Sequence, residues 1–170
     1  MTKLYFTLKG ADRIMAQKQK LMDDLKETQG KKAEAAEVGG NQWHDNFAFE
    51  QLMRDEDFLN GQIKAINLII SQMIVISEPT SSDTSKLRIG HIAELDVEGE
   101  LRTYQVGGYE DSDSSTEPPM ISYLAPIVCQ FIGQRQGHSE KLSISGRKKV
   151  VTLKKISIPE RKEALNDNRS

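Results

Sequence analysis

The chain has 170 residues, enough for one ordinary domain or two small ones, and its 23 basic and 25 acidic residues give a net charge near −2. Proteins whose main partner is bare nucleic acid are usually basic overall, so this balance argues against that class. With no apolar run of about 18 residues, the sequence predicts no membrane-spanning helix, and its start lacks the apolar core of a signal peptide. The single cysteine, Cys129, excludes an internal disulfide and favours a reducing, cytoplasmic setting.

The first half of the chain has the pattern of a helical hairpin. Residues 8–38 can be capped by Thr7 and carry a seam whose positions are separated by four and three residues: Ile14, Lys18, Leu21, Leu25, Thr28, Lys32 and Ala35. Residues 46–76 carry a matching seam, formed by Leu52, Glu56, Leu59, Ile63, Ile66, Ile70 and Met73. An apolar face this narrow is covered by one partner helix, so we expect the two helices to pair antiparallel within residues 1–77. At 1.5 Å per residue, the resulting arm is about 45 Å long.

This pairing places residues 39–50 at the exposed tip of the hairpin. The tip contains Trp43, His44 and Asp45, followed by Phe47 and Phe49, which is not the composition of an inert turn. The two Phe residues cannot both face one seam, so at least one is expected to be exposed or to pack on Trp43.

The second half changes period and predicts a small antiparallel sheet. After a polar linker at 78–86, strands are expected within 87–97 and 101–106 around a turn at 98–100, at 121–124, and in a hairpin of 142–144 with 150–156. A short helix is expected from Ala125 to Ile132, with Cys129 buried on it. The fold class is therefore α+β, with a sheet domain at 87–158 and a polar, disordered tail at 159–170.

Several stretches resemble the GreA/GreB family of bacterial transcription elongation factors over nearly all of residues 4–158. Asp45-Asn46-Phe47-Ala48-Phe49-Glu50 resembles the family's Glu-Asn-Ala-Glu-Tyr, and Gly61-Gln62-Ile63 resembles its Gly-Arg-Ile. Tyr104-Gln105-Val106-Gly107-Gly108 is similar to the family's Tyr-x-Ile-Val-Gly. Ile121 to Ile127 matches its Ile-Ser-x-x-Ser-Pro-Leu, with Ala125 in place of Ser. Gly133 and Gly137 match the glycines of Gly-x-x-x-Gly-Asp, with His138 in place of Asp.

The resemblance implies an FKBP-like second domain that binds RNA polymerase and a coiled coil that enters the polymerase secondary channel. There, two tip acids help to hold a Mg²⁺ ion of the polymerase active site, and the polymerase cleaves the 3′ end of a backtracked RNA. The chain would then be an accessory factor with no cofactor or metal of its own. The implied polymerase-binding positions are Tyr123, Ala125, Pro126, Ile127, Gly133 and Gly137, and those near nucleic acid are Lys26, Lys31, Lys32 and Trp43.

The tip departs from the family pattern. The family's Gly-Asp-Leu-x-Glu-Asn corresponds to residues 40–46, in which Asn41 replaces the Asp and one extra residue precedes Asp45. Asp45 stands for the remaining acid, and an amide oxygen of Asn41 can still ligate Mg²⁺ without adding charge. The imidazole of His44 suits zinc or manganese better. Three interpretations stay open: a tip that supports cleavage, a tip that enters the channel and modulates catalysis in another way, and a structural cap.

A second class of function is an FKBP-like peptide-binding or prolyl-isomerase module with a coiled-coil arm. It requires an aromatic-lined apolar pocket, for which the second half offers only Tyr104, Tyr109, Tyr123 and Phe131. The arm could also mediate weak self-association. His91 and His138 are too isolated in the sequence to be proposed as metal ligands.

Overall fold

The computed structural model describes residues 2–39, 47–77 and 83–159. It divides the chain into two compact units, Met1–Val75 and Ile76–Ser170. Each unit has its own secondary structure.

The first unit is built on the two predicted helices, α1 (Leu8–Gly39) and α2 (Phe47–Ser71). All the seam positions expected on α1 are buried or half-buried, and so are those on α2 up to Ile70, whereas their neighbours are mostly exposed. The hydroxyl of Thr7 accepts a hydrogen bond from the Gly10 N–H at 3.0 Å, which confirms the predicted cap. The period of the apolar residues therefore predicted both the pairing and its face.

The prediction that the second helix extends to residue 76 is wrong. The helix ends at Ser71, and Met73–Val75 form strand β2, which pairs in parallel with β1 (Leu4–Phe6). Met73 is thus a strand residue opposite Leu4, not a seam residue. A strand of three residues has no period that distinguishes it from the end of an apolar helix, so only its distant partner defines it.

The second unit contains a five-stranded sheet in the order β5-β4-β3-β7-β6. Its strands are β3 (Ile92–Val97), β4 (Glu100–Gly107), β5 (Met120–Ser122), β6 (Ser139–Ile144) and β7 (Arg147–Ser157). All neighbouring pairs are antiparallel except β4 and β5, which are parallel. The expected purely antiparallel sheet is therefore a mixed sheet, because the connection at 108–119 is long enough to return the chain in the same direction.

Turn geometry explains the remaining differences from the predicted elements. The strand expected from residue 87 begins at Ile92, because Gly90 has a φ of +93° and its N–H is bonded to the Val106 carbonyl. The helix expected at 125–132 is reduced to a 3₁₀ turn, Cys129–Phe131, preceded by other tight turns. Cys129 is consequently half-exposed rather than buried.

The core of the second unit lies under one face of the sheet. Its fully buried side chains come from β3, β4, β7, the 3₁₀ turn with the residue before it, and the segment before β3: Leu87, Ala93, Leu95, Val106, Val128, Phe131, Val151 and Leu153. Segments 86–88 and 133–134 are joined beside this core, since the Leu87 N–H donates to the Gln134 carbonyl at 2.8 Å and the Gly133 N–H to the Leu87 carbonyl at 2.8 Å. These two bonds position the surface pocket described below.

Candidate functional site

The distal half of the hairpin is held by a polar contact between its helices. Glu56 of α2 accepts hydrogen bonds from the Lys32 ammonium and, at 2.8 Å, from the Gln29 amide of α1. The hydrogen bond from Lys32 is the main reason that the pKa of Glu56 lies below its ordinary value. Lys32 and Glu56, which face each other across the seam, therefore satisfy each other's charge and fix the register of the helices.

The first turn of α2 lies in the described part of the predicted tip, and it exposes an aromatic side chain. The ring of Phe47 is 74% exposed, and the Arg54 guanidinium lies 5.9 Å from its centroid, a cation–π distance. Arg54 also donates to the Gln51 side chain at 3.0 Å, whereas Phe49 is half-buried. Four residues predicted to have a functional role at the tip lie outside the described residues: Asn41, Trp43, His44 and Asp45.

The basic residues predicted to lie near nucleic acid are largely paired with acids of the hairpin. Lys31 forms an ion pair of 2.6 Å with Glu27 one turn earlier, and hydrogen bonding between them raises the pKa of Lys31 and lowers that of Glu27. Lys32 is paired with Glu56 across the hairpin. Lys26 is exposed. The net positive charge available on this face is therefore smaller than a count of lysines indicates.

Only some residues of the first predicted polymerase-binding segment, Tyr123 to Ile127, are exposed. Tyr123 is 9% exposed, and its N–H donates to the Gly107 carbonyl at 2.9 Å, so it belongs to the core. Ala125 and Ile127 pack against the same core. Pro126 is exposed, and so is Leu124, at 50%, although Leu124 is not among the positions that the resemblance implies. Leu124 is a large apolar residue within a turn, and this was the sequence signal that could have identified it as an exposed position.

The two predicted glycines flank a polar pocket. Gly133 and Gly137 have φ values of +81° and +89°, a region that favours glycine. The pocket has a volume of about 390 Å³ and is lined by Lys86, Gly133, Gln134, Arg135, Gln136 and His138. None of these is Phe, Tyr or Trp, and both Tyr123 and Phe131 are buried in the core. This pocket does not have the apolar, aromatic lining that a prolyl-isomerase site requires.

The described residues also lack two features that would indicate other classes of protein. Within them, no group of three or more His, Cys, Asp or Glu side chains is arranged to hold a metal ion. Over the same residues, none of the helices is long and apolar enough to cross a membrane.

The described residues thus define a protein with a helical hairpin, closed at its base by a small parallel β-pair, and a mixed sheet that carries a polar pocket. No family model matches the chain. Comparison with curated proteins finds relatives that are all named transcription elongation factor GreA. The protein from Thioalkalivibrio sulfidiphilus is 28% identical over 162 residues, which cover 92% of this chain and 100% of that protein. The protein from Aliarcobacter butzleri is 26% identical over 164 residues, covering 92% and 96%.

A third relative, GreA of Thermomicrobium roseum, is 28% identical over 93 residues, and the match spans 55% of this chain and 58% of that protein. Solved structures that align with the chain include GreA factor homolog 1 (Gfh1) of Thermus thermophilus, at 21% identity, 91% and 98% coverage and a TM-score of 0.41. A GreA/GreB factor from Nitrosomonas europaea aligns at 16% identity, 92% and 99% coverage and a TM-score of 0.39. The curated homologues of the chain are GreA proteins, at low identity, and its structural neighbours are factors of the GreA/GreB type.

Proposed function

We propose that the chain is a GreA/GreB-like transcription elongation factor. It binds RNA polymerase through its second unit and places the tip of its hairpin in the secondary channel. There it promotes cleavage of backtracked RNA or modulates elongation in another way. The observation that carries the proposal is the 28% identity to a GreA protein over 162 residues, since this match covers the whole of that relative.

The hairpin is suited to this task. Helix α1 has 32 residues, so it spans about 48 Å at 1.5 Å per residue. The hydrogen bonds of Lys32 and Gln29 to Glu56 hold the helices in register in their distal half. A narrow arm with a fixed register delivers its tip to a defined depth in a channel.

The proposed chemistry at the tip depends on oxygen donors. Asp45 supplies one carboxylate and Asn41 one amide oxygen, both of which are ligand types that Mg²⁺ prefers. A single carboxylate offsets less of the cation's charge than the usual acidic pair, so a cleavage activity weaker than that of a tip with two acids is expected. The Mg²⁺ ion would belong to the polymerase, and the oxygens of Asp45 and Asn41 would help to hold it there and offset its charge.

The test is transcript cleavage by a stalled, backtracked RNA polymerase in the presence of the wild-type chain, Asp45→Ala and Asp45→Asn. Loss of stimulated cleavage in both variants, with polymerase binding retained, is the result expected for a metal-supporting acid. Wild-type binding without cleavage would instead make the chain a channel-entering modulator and direct attention to Asn41, Trp43 and His44. No binding of the wild type to polymerase would overturn the proposed function.

A further inference from the structure

The pocket beside Gly133 brings together two basic residues that are distant in sequence. Lys86 lies next to Leu87, whose N–H and carbonyl are bonded to the Gln134 carbonyl and the Gly133 N–H. This pairing puts the Lys86 side chain against the turn that carries Arg135, and both residues line the pocket. Backbone bonds anchored on a fully buried Leu87 therefore hold the arrangement in place.

The charge of this pocket is not balanced locally. None of its six lining residues is acidic. Within residues 2–39, 47–77 and 83–159, neither Lys86 nor Arg135 forms an ion pair, and both side chains are exposed. The neighbouring His138 is already engaged, since its ring nitrogen bonds Glu140 at 2.8 Å and its ring packs edge-on against Phe131 at 6.0 Å. Lys86 and Arg135 are thus the cations that a ligand would meet.

The polar groups around these cations favour one kind of anionic ligand. The side chains of Gln134 and Gln136 each carry an amide, which both donates and accepts hydrogen bonds. The oxygens of a phosphate diester only accept hydrogen bonds. A polypeptide with an acidic side chain offers carboxylate oxygens, which accept hydrogen bonds, together with backbone N–H groups, which need acceptors. Only two of the six lining residues, Lys86 and Arg135, are Lys or Arg, unlike the extended basic track that follows a nucleic-acid backbone.

We propose that this pocket is a docking point for an acidic segment of the partner protein, with one carboxylate held between Lys86 and Arg135 and its flanking backbone held by Gln134 and Gln136. The inference rests on the proposed function for the identity of the partner, which is RNA polymerase. The proposal adds a contact in the second unit. Of the positions implied by the resemblance, only Gly133 and Gly137 lie at this pocket.

The test measures binding of the full chain to RNA polymerase core enzyme at several salt concentrations. The test variant is Lys86→Glu/Arg135→Glu, and Lys86→Met/Arg135→Met removes the charges without reversing them. The matched control is Arg147→Glu/Lys148→Glu, which makes the same charge change at two exposed residues at the start of β7. Circular dichroism and thermal unfolding establish that each variant is folded. A single-stranded RNA oligonucleotide serves as a second probe.

Charge reversal in the pocket is expected to weaken polymerase binding by about tenfold or more and to make the salt dependence of binding shallower. The Met variant should lose less affinity. The affinity of the control should change by less than about threefold. Equal polymerase affinity for wild type and both pocket variants would overturn this inference while leaving the proposed function intact. Loss of RNA binding with unchanged polymerase binding would also overturn it, in favour of a phosphate ligand. A wild-type chain that does not bind polymerase at all would overturn the proposed function itself.

Discussion

Replacing Gly107 with Ala tests the close approach of two backbone segments at the end of β4. A Cβ atom at this position would lie 2.5 Å from the Asp111 Cβ and 2.9 Å from the Asp111 carbonyl oxygen. Non-bonded carbon atoms normally stay about 3.5 Å apart, so the turn that carries Asp111 must move by about 1 Å. Asp111 is only 4% exposed, and its carboxylate accepts the Gly108 N–H at 2.9 Å. The displacement therefore strains a buried, hydrogen-bonded charge.

The expected cost combines two effects. Overpacking of this kind costs about 1–3 kcal/mol, and weakening a buried hydrogen bond to a charged group adds about 1.5 kcal/mol or more. A total near 3 kcal/mol would lower the unfolding temperature of a unit of this size by about 12 °C or more. Differential scanning calorimetry measures the midpoint, and hydrogen exchange locates the loss of protection in β4 and β5.

Thr103→Ala is the matched control, because Thr103 is an exposed residue of the same strand. It should cost less than about 1 kcal/mol. The reasoning is refuted if Gly107→Ala unfolds within about 2 °C of wild type while Thr103→Ala behaves as expected. That result would mean that the turn at 108–111 moves aside without losing its hydrogen bonds.

Three further predictions concern single elements. Gly30→Ala should stabilise α1 by about 1 kcal/mol, because a Cβ there meets no atom within 4 Å; urea unfolding followed at 222 nm measures this, and a loss of stability would contradict it. Burial lowers the pKa of His91 below its ordinary value, so below a pH of about 6.5 the unfolded chain binds a proton that the folded chain resists. Stability should therefore fall as the pH drops from 7 to 5.5, and the slope of unfolding temperature against pH should flatten in His91→Gln. Lys32→Glu and Glu56→Lys should each weaken the hairpin, and the double exchange should restore part of the loss in low salt; additive losses would contradict the pairing.

Local patterns in the sequence predicted the hairpin well. The spacing of Ile14, Leu21 and Leu25 defines a helix face by itself, and Thr7 has the residue type and position of a cap. The turn at Glu98 and Gly99 was also predictable, since positive φ values are required there and a Gly followed by an alternating pattern signals them. In each case, residues close in the chain determine the structure.

The features that the sequence did not reveal are defined by distant partners. The pairing of Leu4–Phe6 with Met73–Val75 joins two strands of three residues, each too short to show a period. The parallel pairing of β5 with β4 depends on the path of a long connection. The pocket requires Lys86 to meet Arg135 through two backbone hydrogen bonds that no local pattern encodes. The tip chemistry was proposed from resemblance alone and stays a prediction.

The short parallel pair of β1 and β2 also determines how the arm tolerates changes in length. Leu4, Tyr5 and Phe6 lie opposite Met73, Ile74 and Val75, and Phe6 is fully buried, so the two ends of the hairpin are joined in one register at its base. A residue inserted within either helix would shift the seam beyond it by about 100° and expose apolar side chains. A residue inserted between Gly39 and Phe47 displaces no seam position, since the helices are aligned from the base and again at Glu56. A change in chain length between α1 and α2 therefore requires no repacking of either helix.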